Sequence, residues 1–219
     1  DTKTVFIFAD TAKSHRERKI LCQTRLVDGI GFEGTDAEKI LHADLQMLTW
    51  IDEPDSQLAY PVPSIGYQFF YQRDAFWMVS AMLDEKVARE TWDLVKTTQD
   101  ESGGVCCHAM PYRWEQGMPG GMTDANLHWV VWAYVNKVRY GIEPDMPALQ
   151  RNLDWMLKTF RTGKPGEYWS RLAGWFDVFD LPKPVLFTHM QGEFAIALRC
   201  AKELGLEVSD ADLEGATNA

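Results

Sequence analysis

The chain of 219 residues is long enough for one large core or two small ones, and 46% hydrophobic with 25% charged residues describes a globular rather than a disordered protein. A net charge of −10 argues against a general affinity for nucleic acid or for an anionic membrane surface, and no run approaches the ~18 apolar residues of a membrane span. Four cysteines, Cys22, Cys106, Cys107 and Cys200, form no CxxC pair and no dense framework, so they read as reduced, buried thiols.

The N-terminal "DTKTVFIFAD" lacks the charged start and cleavage pattern of a secretory signal, and it begins without Met, as a processed chain or a piece of a longer one does. Within it, residues 4–9 read as a short strand. Residues 10–34 run from the charged "KSHRERK" to the Gly-rich "DGIGFEG", and residues 1–34 are taken together as a lead-in. A helix start follows at Thr35, with Glu38 completing a capping box. Leu41, Leu45 and Leu48 fall on one face and Glu38, Asp44 and Gln46 on the other, so this amphipathic helix is expected to end near "DEPD". "SQLAYPVPSIGYQFFYQ", with Pro61, Pro63 and Gly66, reads as a loop.

The next helix, 74–83, is apolar on every side and is expected to be buried. Residues 85–99 form an amphipathic helix with Val87, Ala88, Thr91, Trp92 and Val95 on one face, broken by "DESGGV". After an aromatic loop, residues 124–140 make a second mostly apolar helix stopped by Gly141. Asp145 caps an amphipathic helix at 146–160. A Thr188/Gln191 capping pattern opens the last one, 188–205, ended by Gly205, and residues 207–219 read as a polar, frayed tail.

Amphipathic and buried helices therefore alternate. Stacked antiparallel pairs produce that order, because the inner member is covered on all sides and the outer keeps one wet face. The buried helices begin near residues 74, 124 and 189, a spacing that fits an all-α toroid of helical hairpins over residues 35–206 better than a four-helix bundle or a solenoid. If the inner helices run parallel, their N-termini gather Arg73, Asp74, Asp124, Asn126, His189 and Gln191 at one end, with Asp177 closing "GWFD" ahead of the last helix. The loops carrying Trp114, Trp169 and Trp175 lead to that end, and nine Trp is a high count for a side chain that both fills cores and stacks on sugar rings. Simple N-capping competes as an explanation of Asp124, and turn capping as one of Asp177. Capping explains Asp74 less well, because an Arg beside a helix N-terminus is disfavoured, and an Arg–Asp pair there points to bidentate contacts with hydroxyls or a neighbouring carboxylate.

The order "YQRDAFWMVSAML … QDESGGV … TDANLHWVVWAYVNKVRYG … GWFD … QGEFAIALRCAKELG" resembles the six-hairpin glycosidases, the (α/α)6-barrel enzymes related to glucoamylases and bacterial α-rhamnosidases. "RDA" looks like the Arg-Asp with which glucoamylases bind hydroxyls of the terminal sugar, "QDESGG" is similar to their Q-x-x-x-G turn, and "GWFD" falls near where such enzymes place an acidic residue. The resemblance covers roughly residues 36–206. It implies glycoside hydrolysis without a cofactor, with an oligosaccharide or glycoside bound by Arg73, Asp74, Trp114, Asp124, Asn126, Trp175, His189 and Gln191. It departs from the family in three ways. "EYWSR" stands where a Trp-Glu-Glu run is usual, which leaves Asp177 or Glu167 as the acid, with Asp177 preferred. About three hairpins are read rather than six, and many relatives take their base from the later half, so the resemblance leaves open where the base lies and implies a second chain or a missing C-terminal half as what completes the toroid. "SHRERKIL" matches the Arg-rich stretch of rhamnosidase-like enzymes only loosely.

The chemistry needs two carboxyl groups, one protonated for the leaving oxygen and one ionised, and the apolar Trp175 and Phe176 would raise the pKa of Asp177. His108 and His128 have no spacing for a metal site, and "GMPGGM" lacks the Lys-Ser/Thr ending of a phosphate loop. Two other readings stay open. A sugar epimerase or polysaccharide lyase of the same toroid class is one, although an epimerase would need paired His at inner-helix starts, where only His189 stands. A non-catalytic helical-hairpin fragment that binds a partner is the other.

Overall fold

The computed structural model describes residues 18–20, 49–52, 59–61, 70–82, 84–110, 115–117, 123–170 and 185–218, which are mostly helical. In chain order the elements are β1 (Arg18–Ile20), β2 (Thr49–Asp52), β3 (Ala59–Pro61), β4 (Phe70–Tyr71), α1 (Gln72–Met82), α2 (Glu85–Lys96), β5 (His108–Met110), β6 (Glu115–Gly117), α3 (Thr123–Tyr140), α4 (Met146–Phe160), α5 (Thr188–Leu204) and α6 (Asp210–Asn218).

Two small antiparallel sheets accompany the helices. In the first, β2 lies between β1 and β3, with Ile20 opposite Trp50 and Thr49 opposite Pro61. Residues 49–52 were expected to end a helix and are a strand instead. Thr, Trp and Ile in succession favour an extended chain, and partners on both sides complete its ladder. The expected loop at 56–72 likewise contributes β3 and β4, and Pro61 is tolerated because β3 is an edge strand. In the second sheet β5 lies between β4 and β6, with Phe70 opposite Ala109 and Met110 opposite Glu115. This sheet runs directly into the head of α1, where Gln72 N donates to Cys107 O at 3.0 Å. The expected strand at 4–9 and the Leu41, Leu45, Leu48 helix lie outside the described residues.

Consecutive helices pack as pairs: α1 on α2, α3 on α4, and α5 on α6. Asp84 caps α2 by accepting from Val87 N at 3.0 Å, and Asp145 caps α4 by accepting from Ala148 N at 3.0 Å. The amphipathic stripes bury as patterned: Val87, Ala88, Thr91, Trp92 and Val95 on α2, and Leu149, Leu153, Met156 and Phe160 on α4. The tail expected to fray is instead α6, with Asp212 and Ala216 buried. Asp212 receives Arg161 Nη2 at 2.5 Å and Ser209 Oγ at 2.6 Å. The 161–170 segment also meets α6 backbone to backbone, where a Cβ at Gly166 (φ +77°) would overlap Gly215 and Ala216. Such docking depends on tertiary contact, so a polar nine-residue segment shows little of it in sequence.

Helix α3 is the centre of the assembly. It contacts α1, α2, α4 and α5, and every residue from Thr123 to Val130 is buried. Trp129 and Trp132 form an aromatic cluster with Trp92 of α2, with ring centroids 5.9 and 6.1 Å apart, and Phe76 of α1 meets Trp132 edge-on at 6.0 Å. Helices α1 and α3 run parallel: Arg73 reaches Asp124 at their heads, and Arg139 Nη1 donates to Ser80 O at 2.7 Å near their tails. Helix α1 is not covered all round, as its composition led us to expect. Trp77 is 57% exposed on it, and on α5, which also packs on α3, Ile196 is 53% exposed. Cys106 and Cys107 are buried, and neither they nor Cys200 form a disulfide; burial pushes the Cys106 and Cys200 thiols up to about 11, which leaves them protonated and unreactive.

Candidate functional site at the heads of three helices

An arginine in the first turn of a helix meets the positive end of the helix dipole. Arg73 escapes that penalty by crossing to α3, where Nη1 donates to Asp124 Oδ2 at 2.7 Å. Asp124, 1% exposed, uses its other oxygen to accept from Ala125 N at 2.9 Å. It is therefore the second residue of α3 rather than its cap, and it satisfies one free N–H of the first turn while neutralising Arg73. Removing one partner of so buried a pair leaves a charge without compensation, a loss of about 3–5 kcal/mol. Asp74, more open to solvent, lies with Oδ2 4.0 Å from Arg73 Nε.

Two further groups enter this cluster. His128, one helical turn after Asp124, is 6% exposed and packs against Phe76 and Trp77 with ring centroids 5.3 and 6.0 Å away. Burial pushes its pKa down, against the pull of Asp124, with Arg73 adding to the drop, and its Nδ1 has no hydrogen-bond partner among the described residues. Glu193, in the second turn of α5, has its carboxyl pushed up to about 7, first by burial and then by the Asp124 carboxylate, with Arg73 opposing. Its Oε2 is shielded from solvent and makes no hydrogen bond among the described residues. The heads of α1, α3 and α5 thus bring together one guanidinium, an ionised carboxylate, an imidazole held neutral and a carboxyl that is half protonated at neutral pH.

The loop before α5 approaches the same heads. Thr123 Oγ1 and Ser170 Oγ are 3.1 Å apart, Ser170 exchanges backbone hydrogen bonds with Val185 at 2.8 and 2.9 Å, and half-exposed Trp169 lies between Tyr168 and Ser170.

Arg73, Asp74 and Asp124 come together as the sequence reading expected. Asn126 and Gln191 have other work. Asn126 Oδ1 accepts from Val105 N and from Asn152 Nδ2, both at 2.8 Å, and the side chain is fully buried. Gln191 clamps Tyr168, donating to its carbonyl at 2.6 Å and accepting from its N–H at 3.1 Å. That clamp occupies the amide expected to form a capping box with Thr188, and α5 begins after Phe187 with no side-chain cap. His189 is exposed and tilts against Phe187 at 5.4 Å. Glu167 is a poor acid: Thr162 Oγ1 donates to it at 2.7 Å and, with Lys164, holds its carboxyl below the usual range. Asp177, Trp114 and Trp175 lie outside the described residues. In "QDESGG", Gln99 Nε2 donates to Ala148 O at 2.8 Å and Gly103 O at 3.1 Å, so this turn ties α2 to α4. Gly103 (φ +105°) is required there because a Cβ would overlap the Arg151 carbonyl.

Glu193 was missed by the sequence reading. Its one local signal is position: it precedes buried Ala197 by one turn, at the edge of the apolar stripe of α5.

Among the described residues no group of His, Cys, Asp and Glu could hold a metal ion, and no helix is long and apolar enough to cross a membrane. A surface groove of about 630 Å3 over α4, lined by Ser102, Arg151, Asp154, Trp155, Lys158 and Thr159, shares no residue with the cluster. We give the cluster more weight than the groove, because only the cluster has a titratable group placed to exchange a proton near neutrality. Compared with known proteins, the chain matches no family model and no curated protein.

Proposed function

We propose that the chain belongs to a glycoside hydrolase whose helical hairpins close into an α/α toroid and whose sugar binds where the heads of the inner helices meet. The observation that carries this reading is the Arg73–Asp124 pair bridging the heads of α1 and α3, with the more open Asp74 beside it and the carboxyl of Glu193 acting on both. Glycoside hydrolysis needs one protonated and one ionised carboxyl around a sugar held through its hydroxyls, and a cluster with carboxyls of both kinds meets that need. Asp74 is the more solvent-exposed carboxylate of the two beside Arg73 and is the one we assign to a sugar hydroxyl. Half-exposed Trp169 offers an apolar face for stacking. The parallel course of α1 and α3 supports the ring. So do the exposed Trp77 and Ile196 on the two flanking helices, where further helices, from this protein or a second chain, would pack. Asp177 remains a candidate for one of the two carboxyls.

The test is turnover of a panel of natural and aryl glycosides by the full-length protein. Asp74→Ala, with its fold verified by circular dichroism, should lower kcat and raise KM together. A loss of about 10–100-fold in kcat/KM matches one charged hydrogen bond to a hydroxyl. Unchanged kinetics in that variant, or no turnover of any glycoside by the unmodified protein, overturns the reading.

A further inference from the structure

We infer that Glu193 is a catalytic residue of this site, the group that hands a proton to the oxygen of the bond being broken. The inference rests on the glycosidase reading and adds to it the residue that acts as the acid.

Geometry places the side chain. Glu193 stands in the second turn of α5, near enough to Asp124 and Arg73 to feel both charges, and its Oε2 is buried with no hydrogen-bond partner among the described residues. Buried carboxyl oxygens are normally hydrogen-bonded, so one held without a partner in a polar cluster is placed for something that arrives. His128, in the same cluster, is also buried.

The charged groups around Glu193 set its state. Asp124 from α3 disfavours ionisation, and Arg73 from α1 favours it without prevailing over Asp124 and burial. His128 is held neutral and adds no charge. On α5 itself His189 is exposed one turn earlier. Of the three acids of α6, Asp212 is engaged by Arg161 and Asp210 by Lys202, and Glu214 acts on Lys202. Glu193 is thus protonated for much of the time at neutral pH, while Asp124, bound to Arg73, is the ionised member of the pair. Glu167 is pulled the opposite way and cannot substitute.

The step balances as follows. The Glu193 proton moves to the glycosidic oxygen as its bond to the anomeric carbon breaks, and the bonding electrons stay with that oxygen. The oxygen of a water molecule bonds to the same carbon, and the surplus proton of that water leaves through an ionised carboxylate to solvent, from which Glu193 is reprotonated.

Glu193→Gln in the full-length protein provides the test. With the unmodified protein, kcat/KM on alkyl glycosides should fall as pH rises through about 7, as Glu193 loses its proton. Glu193→Gln should lose that alkaline limb and about 100-fold or more of kcat on alkyl glycosides, but far less on nitrophenyl glycosides, whose leaving groups need little protonation. A carboxyl band titrating near neutrality in infrared difference spectra should vanish in the variant. Retention of the alkaline limb by Glu193→Gln, or its loss in Asp177→Asn instead, overturns the assignment while leaving the glycosidase reading intact. No turnover by the unmodified protein, with the carboxyl still titrating near neutrality, overturns the glycosidase reading and the acid role with it.

Discussion

At the scale of single residues, the Arg73–Asp124–Glu193 cluster concentrates two opposed electrostatic demands. Asp124 is stabilised by a cation and a backbone N–H; Glu193 is buried beside that anion and resists ionisation. The folded pKa of Glu193 lies above the ordinary 4.5 of a glutamate, so between 4.5 and about 7 the folded state binds more protons than the unfolded state. The folded protein therefore loses stability as pH rises through that window, and above it carries the whole cost of a partly buried charge. Glu193→Gln removes the charge and keeps the shape. The variant should melt at the same temperature as the unmodified protein at a pH below the ordinary 4.5 of the carboxyl, and at a higher temperature than it at about pH 8. Partial exposure discounts the electrostatic cost, and a net of about 1 kcal/mol corresponds to about 2–4 °C in a chain of this size. Scanning calorimetry at the two pH values decides the matter; a melting difference independent of pH, or of the opposite sign, means that the fold does not raise the pKa of Glu193.

At the scale of elements, α6 is held by features that depend on close approach. The 161–170 segment touches α6 through Gly166 and Gly215, and Arg161 and Tyr168 both reach Asp212. Gly166→Ala would meet both a left-handed backbone and a backbone overlap, each worth about 1–3 kcal/mol. The expected outcome is a loss of about 2 kcal/mol or more in urea unfolding, with faster amide exchange confined at first to residues 210–218. Exchange unchanged in α6 would show that Asp212 alone docks it. The same element shows where sequence stops being informative. Helices α2, α3 and α4 are legible because their stripes, and the Asp84 and Asp145 caps of α2 and α4, are local. Docking of α6 is written in two glycines and an aspartate whose partners are distant in the chain, and β2 and β3 depend on pairing that no local window contains. In the site, Arg73, Asp74 and Asp124 were readable as polar residues at the heads of apolar helices. Glu193 was not, because burial and Asp124, not its own neighbours in sequence, raise its pKa. Asn126 and Gln191 misled for the converse reason: they stand at helix heads, yet buried backbone groups of Val105 and Tyr168 take their amides.

At the scale of the molecule, α3 is the element on which the others converge. It carries the anion of the site at its head, the Trp129–Trp132 cluster in its middle and the Arg139 link to α1 at its tail. Its neighbours are packed on α3 along one face and are more open elsewhere, as Trp77 on α1 and Ile196 on α5 show. Local opening costs least where few buried contacts are broken, so resistance to opening should fall outward from α3. In native-state hydrogen exchange under increasing urea, the amides of residues 127–133 should exchange last and only through global unfolding. Those of α1, α2, α4 and α5 should follow at lower free energies, and those of α6 at the lowest. The site then sits at the junction of the most and less stable parts of the molecule, with Asp124 on the rigid side and Arg73 and Glu193 on helices that open more readily. If α1 or α5 outlasts α3, the packing hierarchy is wrong, and Asp124 cannot be the fixed point about which the other two charges are arranged.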